Sequence, residues 1–147
     1  MRLIIQRVKR ASVSVVGKNT VVGKIQKGLF VLVGVKKGDT EKDAELLANK
    51  LFKLRVMSDP QDKMNLSVAD VHGEFLLVSQ FTLYADTTGG NRPSFVDAAL
   101  PEEAEKIYSY FVDKVKLLGG KVQTGSFGKY MKIDTELDGP VTIILES

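Results

Sequence analysis

Only two stretches of this 147-residue chain carry apolar residues at helical spacing, and that limits the folds open to it. Ala44, Leu47, Leu51 and Leu54 form the first stripe, and Ala104, Tyr108, Phe111, Val115 and Leu118 the second. Thr40 is placed to cap the first helix, with Asp43 in its first turn. Asp59-Pro60-Gln61-Asp62 ends that segment in a turn. Pro101 suits the first position of the second helix, and Gly119-Gly120 stops it.

The remaining apolar residues fall in short runs or alternate with polar ones, which is the period of strands. Leu3 to Val8 and Ser12 to Val15 read as strands, Gly17-Lys18-Asn19 as a turn, and Thr20 to Ile25 as a strand. Leu29 to Val35, broken only by Gly34, reads as a buried central strand. His72-Gly73 looks like a hairpin tip leading into a strand from Phe75 to Tyr84. After the polar loop from Asp86 to Ser94 and the second helix, strands are expected at Lys121–Gln123, Met131–Glu136 and Val141–Leu145. About eight strands clustered at both ends around two helices argue for an α+β fold with a curled, largely antiparallel sheet, not a βαβ wind. The length suits one domain, residues 1–147, which buries roughly 70% of its unfolded surface.

Composition narrows the chemistry. With no cysteine, disulfides, thiolate zinc sites and cysteine nucleophiles are excluded. The only histidine is His72, which reads best as a turn residue, so little acid–base help from imidazole is expected. No metal or cofactor is called for. A net charge of +3 is compatible with a polyanionic partner, and a solvated surface gives the same number. Lys36, Lys37, Lys50, Lys53, Lys114 and Lys116 are open to both readings. No apolar run reaches the roughly 18 residues of a membrane span, and the N-terminus lacks a signal-peptide core, so a soluble cytoplasmic protein is expected.

Two segments interrupt the structural pattern with chemistry. Strand alternation over Ser79-Gln80-Phe81-Thr82-Leu83-Tyr84 puts Gln80 and Thr82 on one face. That patch is either the solvated side of a half-buried strand or a substrate-facing strand end, with Thr82 as nucleophile and Gln80 orienting a carbonyl. Asp138-Gly139-Pro140 is either a tight turn before an edge strand or a cis Gly-Pro bond that aims two carbonyls one way.

Six motifs in register now become informative together: Gln6-Arg7-Val8 with Ala11-Ser12-Val13, Lys63-Met64-Asn65-Leu66, Ser79 to Leu83, Asn91-Arg92-Pro93-Ser94-Phe95, Thr124-Gly125-Ser126-Phe127-Gly128, and Gly139-Pro140-Val141-Thr142. Nearly end to end, the chain resembles the D-aminoacyl-tRNA deacylase family. The resemblance implies a metal-free homodimer, bound to neither membrane nor DNA, that hydrolyses the ester of a D-amino acid, or of glycine mischarged on alanine tRNA, with tRNA. It implies a cis Gly139–Pro140 bond, steadied by Arg7, whose carbonyls enter the partner's pocket and bind the substrate's α-ammonium, so that an L-side chain collides with backbone. Ser79, Gln80, Phe81 and Thr82 would hold the ester, with the Phe81 N–H facing its carbonyl oxygen. Phe127 and Met131 would line the pocket for the terminal adenosine. The family is generally held to activate water with the substrate's own ribose 2′-hydroxyl; Thr82 as covalent nucleophile is the older alternative.

Two positions depart from the family pattern: Leu137, where asparagine often precedes Asp-Gly-Pro, and Lys129, where a small residue is common. The competing readings are a non-catalytic RNA-binding domain and a hydrolase of small D-amino-acid esters. The first expects exposed stacking aromatics, yet there is no Trp and most Tyr and Phe fit core stripes.

Overall fold

The computed structural model describes residues 1–17 and 20–147, so the turn expected at Lys18 and Asn19 lies outside the described residues. One long strand organises the sheet. β1 (Arg2–Val15) pairs along its length with β8 (Met131–Glu146) on one edge. Its other edge is shared. β3 (Gly28–Gly34) pairs with Arg2 to Val8, and β2 (Thr20–Ile25) with Ala11 to Val15. These pairings are antiparallel. Beyond β3 come β6 (Glu74–Ser79) and then β7 (Lys121–Thr124), both parallel, which makes the sheet mixed.

The sheet curls until it nearly closes. A Cβ on Gly23 of β2 would stand 2.5 Å from the Thr124 carbonyl oxygen of β7, so glycine there lets the two ends approach. The central strands β3 and β6 bury both faces. Leu29, Val31 and Val33 of β3, with Phe75 and Leu77 of β6, face a core roofed by α1 (Glu41–Phe52) and α2 (Pro101–Leu117). Phe30, Leu76 and Val78 face a second cluster inside the curl, completed by Val8, Ala11, Val13 and Ile25. β1 feeds both cores: Leu3 and Ile5 lie under the helices, and register shifts against β8 around Val8 turn its second half to the inner cluster.

Both helices begin as expected. The Asp43 carboxylate accepts the Thr40 N–H at 2.8 Å and the Thr40 hydroxyl at 2.7 Å, and these bonds hold its pKa below the ordinary aspartate value. α1 ends at Phe52, leaving Leu54 outside the helix and half-buried. Gly119, at φ +97°, ends α2 in the left-handed conformation.

Four expectations are corrected. The strand expected over Phe75–Tyr84 stops at Ser79 and becomes a 3₁₀ turn, Phe81–Tyr84. His72 does turn the chain, with φ 52°, but β6 pairs in parallel with β3, so no hairpin forms there. Asp59-Pro60-Gln61-Asp62 does not end the helix; it tips a small hairpin of β4 (Met57–Ser58) and β5 (Met64–Leu66). Met131–Glu136 and Val141–Leu145 are one strand, β8, and Gly139-Pro140 sits at an irregularity within it.

Candidate active site

β6 is buried as far as Val78, and its polar end, Ser79 and Gln80, is half exposed. The Gln80 N–H donates to the Val33 carbonyl at 2.8 Å, after which the chain leaves the sheet. It can turn there because β3 ends in Gly34. A Cβ on Gly34 would stand 3.0 Å from Leu83 Cβ, 3.2 Å from Tyr84 Cε2 and 3.3 Å from the Gln80 carbonyl oxygen. Within the turn the Gln80 side-chain amide donates to the Thr82 hydroxyl at 2.6 Å. Gln80 and Thr82 are therefore partners, joined across a turn and not by strand alternation. Thr82 is exposed. The Phe81 N–H opens the turn and has no acceptor inside it. Phe81 is 56% exposed, and its ring meets that of Phe95 edge-on with centroids 5.0 Å apart. Phe95 is returned to this place by a loop whose ends, Asp86 and Ser94, exchange backbone hydrogen bonds of 2.7 and 2.8 Å.

Phe127 and Met131 stand at the same end of β6. Leu77 pairs with Thr124, and its carbonyl accepts both the Gly125 N–H at 3.1 Å and the Tyr108 hydroxyl at 2.9 Å. The Tyr108 ring packs on Phe127 at 5.8 Å between centroids. The Ser126 N–H points at the Met131 sulfur at 3.2 Å, and a Cβ on Gly125 would reach that sulfur at 2.8 Å. Two apolar side chains are thus anchored just past the last β6–β7 pair, Leu77 with Thr124. Burial pushes the Tyr84 phenol up to about 12, with the Asp39 charge adding to the shift, and it pushes Tyr108 higher still. Both phenols keep their protons at ordinary pH, and that of Tyr108 is the one donated to the Leu77 carbonyl.

Arg7, Gly139 and Pro140 form a separate group. The nearly buried Arg7 guanidinium donates to the Val56 carbonyl at 2.9 Å, the Ser58 hydroxyl at 3.3 Å and the Asp138 carbonyl at 3.1 Å, and pairs with the Asp138 carboxylate at 3.2 Å. The Gly139–Pro140 bond is cis, and both residues are exposed. Gly139 has φ +134°, and a Cβ there would stand 2.8 Å from the Val141 nitrogen. This group does not reach its own chain's strand end. Arg7 pairs with Leu29 and Ser79 with Val33, so they are about 13 Å apart along β3 and two strands apart across it, roughly 16 Å in all.

His72 precedes β6 at its other end, roughly 20 Å from Ser79. Among the described residues no group of three or more His, Cys, Asp or Glu could hold a metal. A depression of about 570 Å³ lies elsewhere, lined by Arg10, Ser12, Lys24, Asp134 and Glu136 among others. Its Arg10 and Glu136 neutralise each other at 2.9 Å, and it contains none of the candidate residues. Among the described residues no helix is long and apolar enough to cross a membrane. The sequence reading missed Arg2 and Ser58 and gave Tyr108 only as a core stripe residue, because their polar partners come from distant segments. Gly34 had a visible signal, as the break in an apolar run, but its reason lay in the turn that packs on it.

A nearly closed mixed sheet with two helices on one face, carrying this polar strand end, defines a known structural class. A solved structure titled "c-Myc DNA Unwinding Element Binding Protein" superposes with a TM-score of 0.93 at 39% identity, covering 100% of this chain and 99% of that one. A second, titled as a probable eukaryotic D-amino acid tRNA deacylase, shares the fold with a TM-score of 0.83 at 16% identity, covering 99% of this chain and 98% of that one. Residues 4–146 match the family described as D-Tyr-tRNA(Tyr) deacylase, and the chain belongs to that family. The D-aminoacyl-tRNA deacylase of Thermosipho melanesiensis is 55% identical, covering 100% of this chain and 97% of its own length. That of Aquifex aeolicus is 53% identical, covering 100% of this chain and 98% of its own.

Proposed function

We propose that this chain hydrolyses the ester bond of D-aminoacyl-tRNA, releasing the free D-amino acid and tRNA, and acts likewise on glycine mischarged on alanine tRNA. The observation that carries the reading is the half-exposed end of β6, where the Gln80 amide holds the exposed Thr82 hydroxyl beside the Phe81 N–H, in a chain whose family match runs over residues 4–146.

The ester carbonyl lies against the Phe81 N–H, which stabilises the oxyanion formed as water adds to the carbonyl carbon. The ribose 2′-hydroxyl of the substrate positions and activates that water, and the 3′-oxygen leaves with a proton. Thr82 shapes the pocket, its hydroxyl already engaged by Gln80. The terminal adenine stacks against Phe127 and Met131.

The protein works as a homodimer in which the exposed Gly139-Pro140 segment of one subunit enters the pocket of the other. The roughly 16 Å between Arg7 and Ser79 within one chain supports this arrangement, because the segment cannot serve its own strand end. Its carbonyls take the α-ammonium, and its backbone excludes an L-side chain while admitting a D-side chain or a hydrogen. The whole chain, 1–147, acts as one domain, without metal or cofactor, in the cytoplasm where tRNA is charged.

The deciding experiment is hydrolysis of matched D- and L-tyrosyl-tRNA by the purified protein, with and without a strong chelator. The D-ester is expected to be cleaved equally in both conditions and the L-ester spared. Equal cleavage of the two enantiomers sinks the reading; activity lost in chelator and restored by zinc sinks its metal-free part.

A further inference from the structure

The turn Phe81–Tyr84 presents the catalytic groups proposed above, yet Phe81 and Thr82 are exposed and Leu83 and Tyr84 only half-buried, so core packing alone does not fix its orientation. Its far end is held by one side chain. Arg2 Nη1 donates to the Leu83 carbonyl at 2.6 Å, and the guanidinium lies 5.0 Å from the centre of the Tyr84 ring. The Arg2 Nε is held by the Glu146 carboxylate at 2.5 Å. The register explains the meeting: Arg2 pairs with Gly34 on β3 at one side and with Glu146 on β8 at the other. One rung across three strands therefore contains the clearance the turn needs, the cation that clamps it and the anion that aims the cation.

We propose that this rung is a positioning device for the hydrolysis, with Arg2 fixing the angle of the Phe81–Tyr84 turn without touching the substrate. The inference rests on the function proposed above. The Arg2 and Glu146 side chains are 36% and 53% exposed, and ion pairs so exposed contribute little to folding. The rung therefore governs geometry more than stability, and a misplacement of about an ångström is enough to slow a reaction by up to ~100-fold.

The test compares Arg2→Gln, Arg2→Lys and Glu146→Gln with wild type on D-tyrosyl-tRNA. If wild type itself leaves this ester intact, the functional reading fails before the rung is examined. With an active wild type, Arg2→Gln is expected to lose kcat by about ten- to a hundredfold, with KM and the melting temperature nearly unchanged. Arg2→Lys should recover part of the loss, and Glu146→Gln should show a smaller loss of the same kind. Gly34→Ala, which presses on the turn with Arg2 in place, should lower kcat as well; it decides the matter if Arg2→Gln does not fold. Full kcat in Arg2→Gln overturns the proposal. So does a salt-sensitive rise in KM at constant kcat, which marks a phosphate contact instead, or activity that falls only in step with unfolding.

Discussion

Replacing Arg7 with methionine keeps most of the side-chain volume and removes every donor. The Val56 carbonyl then loses its 2.9 Å bond, and Val56 is only 6% exposed, so water does not readily take over. An orphaned buried acceptor costs about 1–3 kcal/mol. The Asp138 carbonyl loses its bond as well, a further ~0.5–1.5 kcal/mol, while the Asp138 carboxylate, 34% exposed, rehydrates and contributes at most ~1 kcal/mol. A methionine that no longer buries a charge offsets part of this. The net expectation is a loss of about 2–4 kcal/mol, or roughly 5–15 °C in melting temperature for a chain of this size. Urea denaturation of Arg7→Met and Arg7→Lys measures it, with an unchanged slope and an intermediate value for lysine, which keeps the charge without the fork. If Arg7→Met costs under about 0.5 kcal/mol, or if its effect vanishes in high salt, Arg7 is an ordinary surface ion pair and its role as anchor of the Gly139-Pro140 segment fails.

Thr82→Ala should keep substantial activity under the 2′-hydroxyl mechanism; a collapse of many orders of magnitude, or an aminoacyl ester trapped on Thr82, would restore the older nucleophilic mechanism. Gly139→Ala should cost about 1–3 kcal/mol and most of the activity, since its Cβ would sit 2.8 Å from the Val141 nitrogen at φ +134°; a crystal structure of an active variant with an unmoved segment would contradict this. Mixing Gly139→Ala with a separately inactivated pocket variant should return one working site per heterodimer, and a mixture as inactive as its parts would argue against the cross-subunit arrangement. The folded protein holds the Tyr84 and Tyr108 protons more tightly than the unfolded chain, so their contribution is complete below about pH 10 and is lost as pH rises, through about 12 for Tyr84. Denaturation across that range should show falling stability and a shallower fall in Tyr108→Phe; a flat profile would mean the phenols are not buried as described.

Local patterning was enough to place both helices, because their stripes, the Thr40 cap, Pro101 and the stop at Gly119 act within a few residues of themselves. It also located the β-rich ends of the chain, the central run at Leu29, and the two segments that break the apolar pattern, Ser79–Thr82 and Gly139-Pro140. The 3₁₀ turn was hidden, since Phe81-Thr82-Leu83-Tyr84 alternates as a strand would, and the room it packs into is left by Gly34, some fifty positions earlier. The parallel pairing of β3 with β6, and a β1 that packs two cores, are likewise choices between partners distant in sequence. Arg2 met Leu83, and Arg7 met Val56 and Asp138, for the same reason. Periodicity and capping record interactions between neighbours along the chain; which strand lies beside which, and so which side chains meet at the strand end, is decided only when the sheet closes on itself.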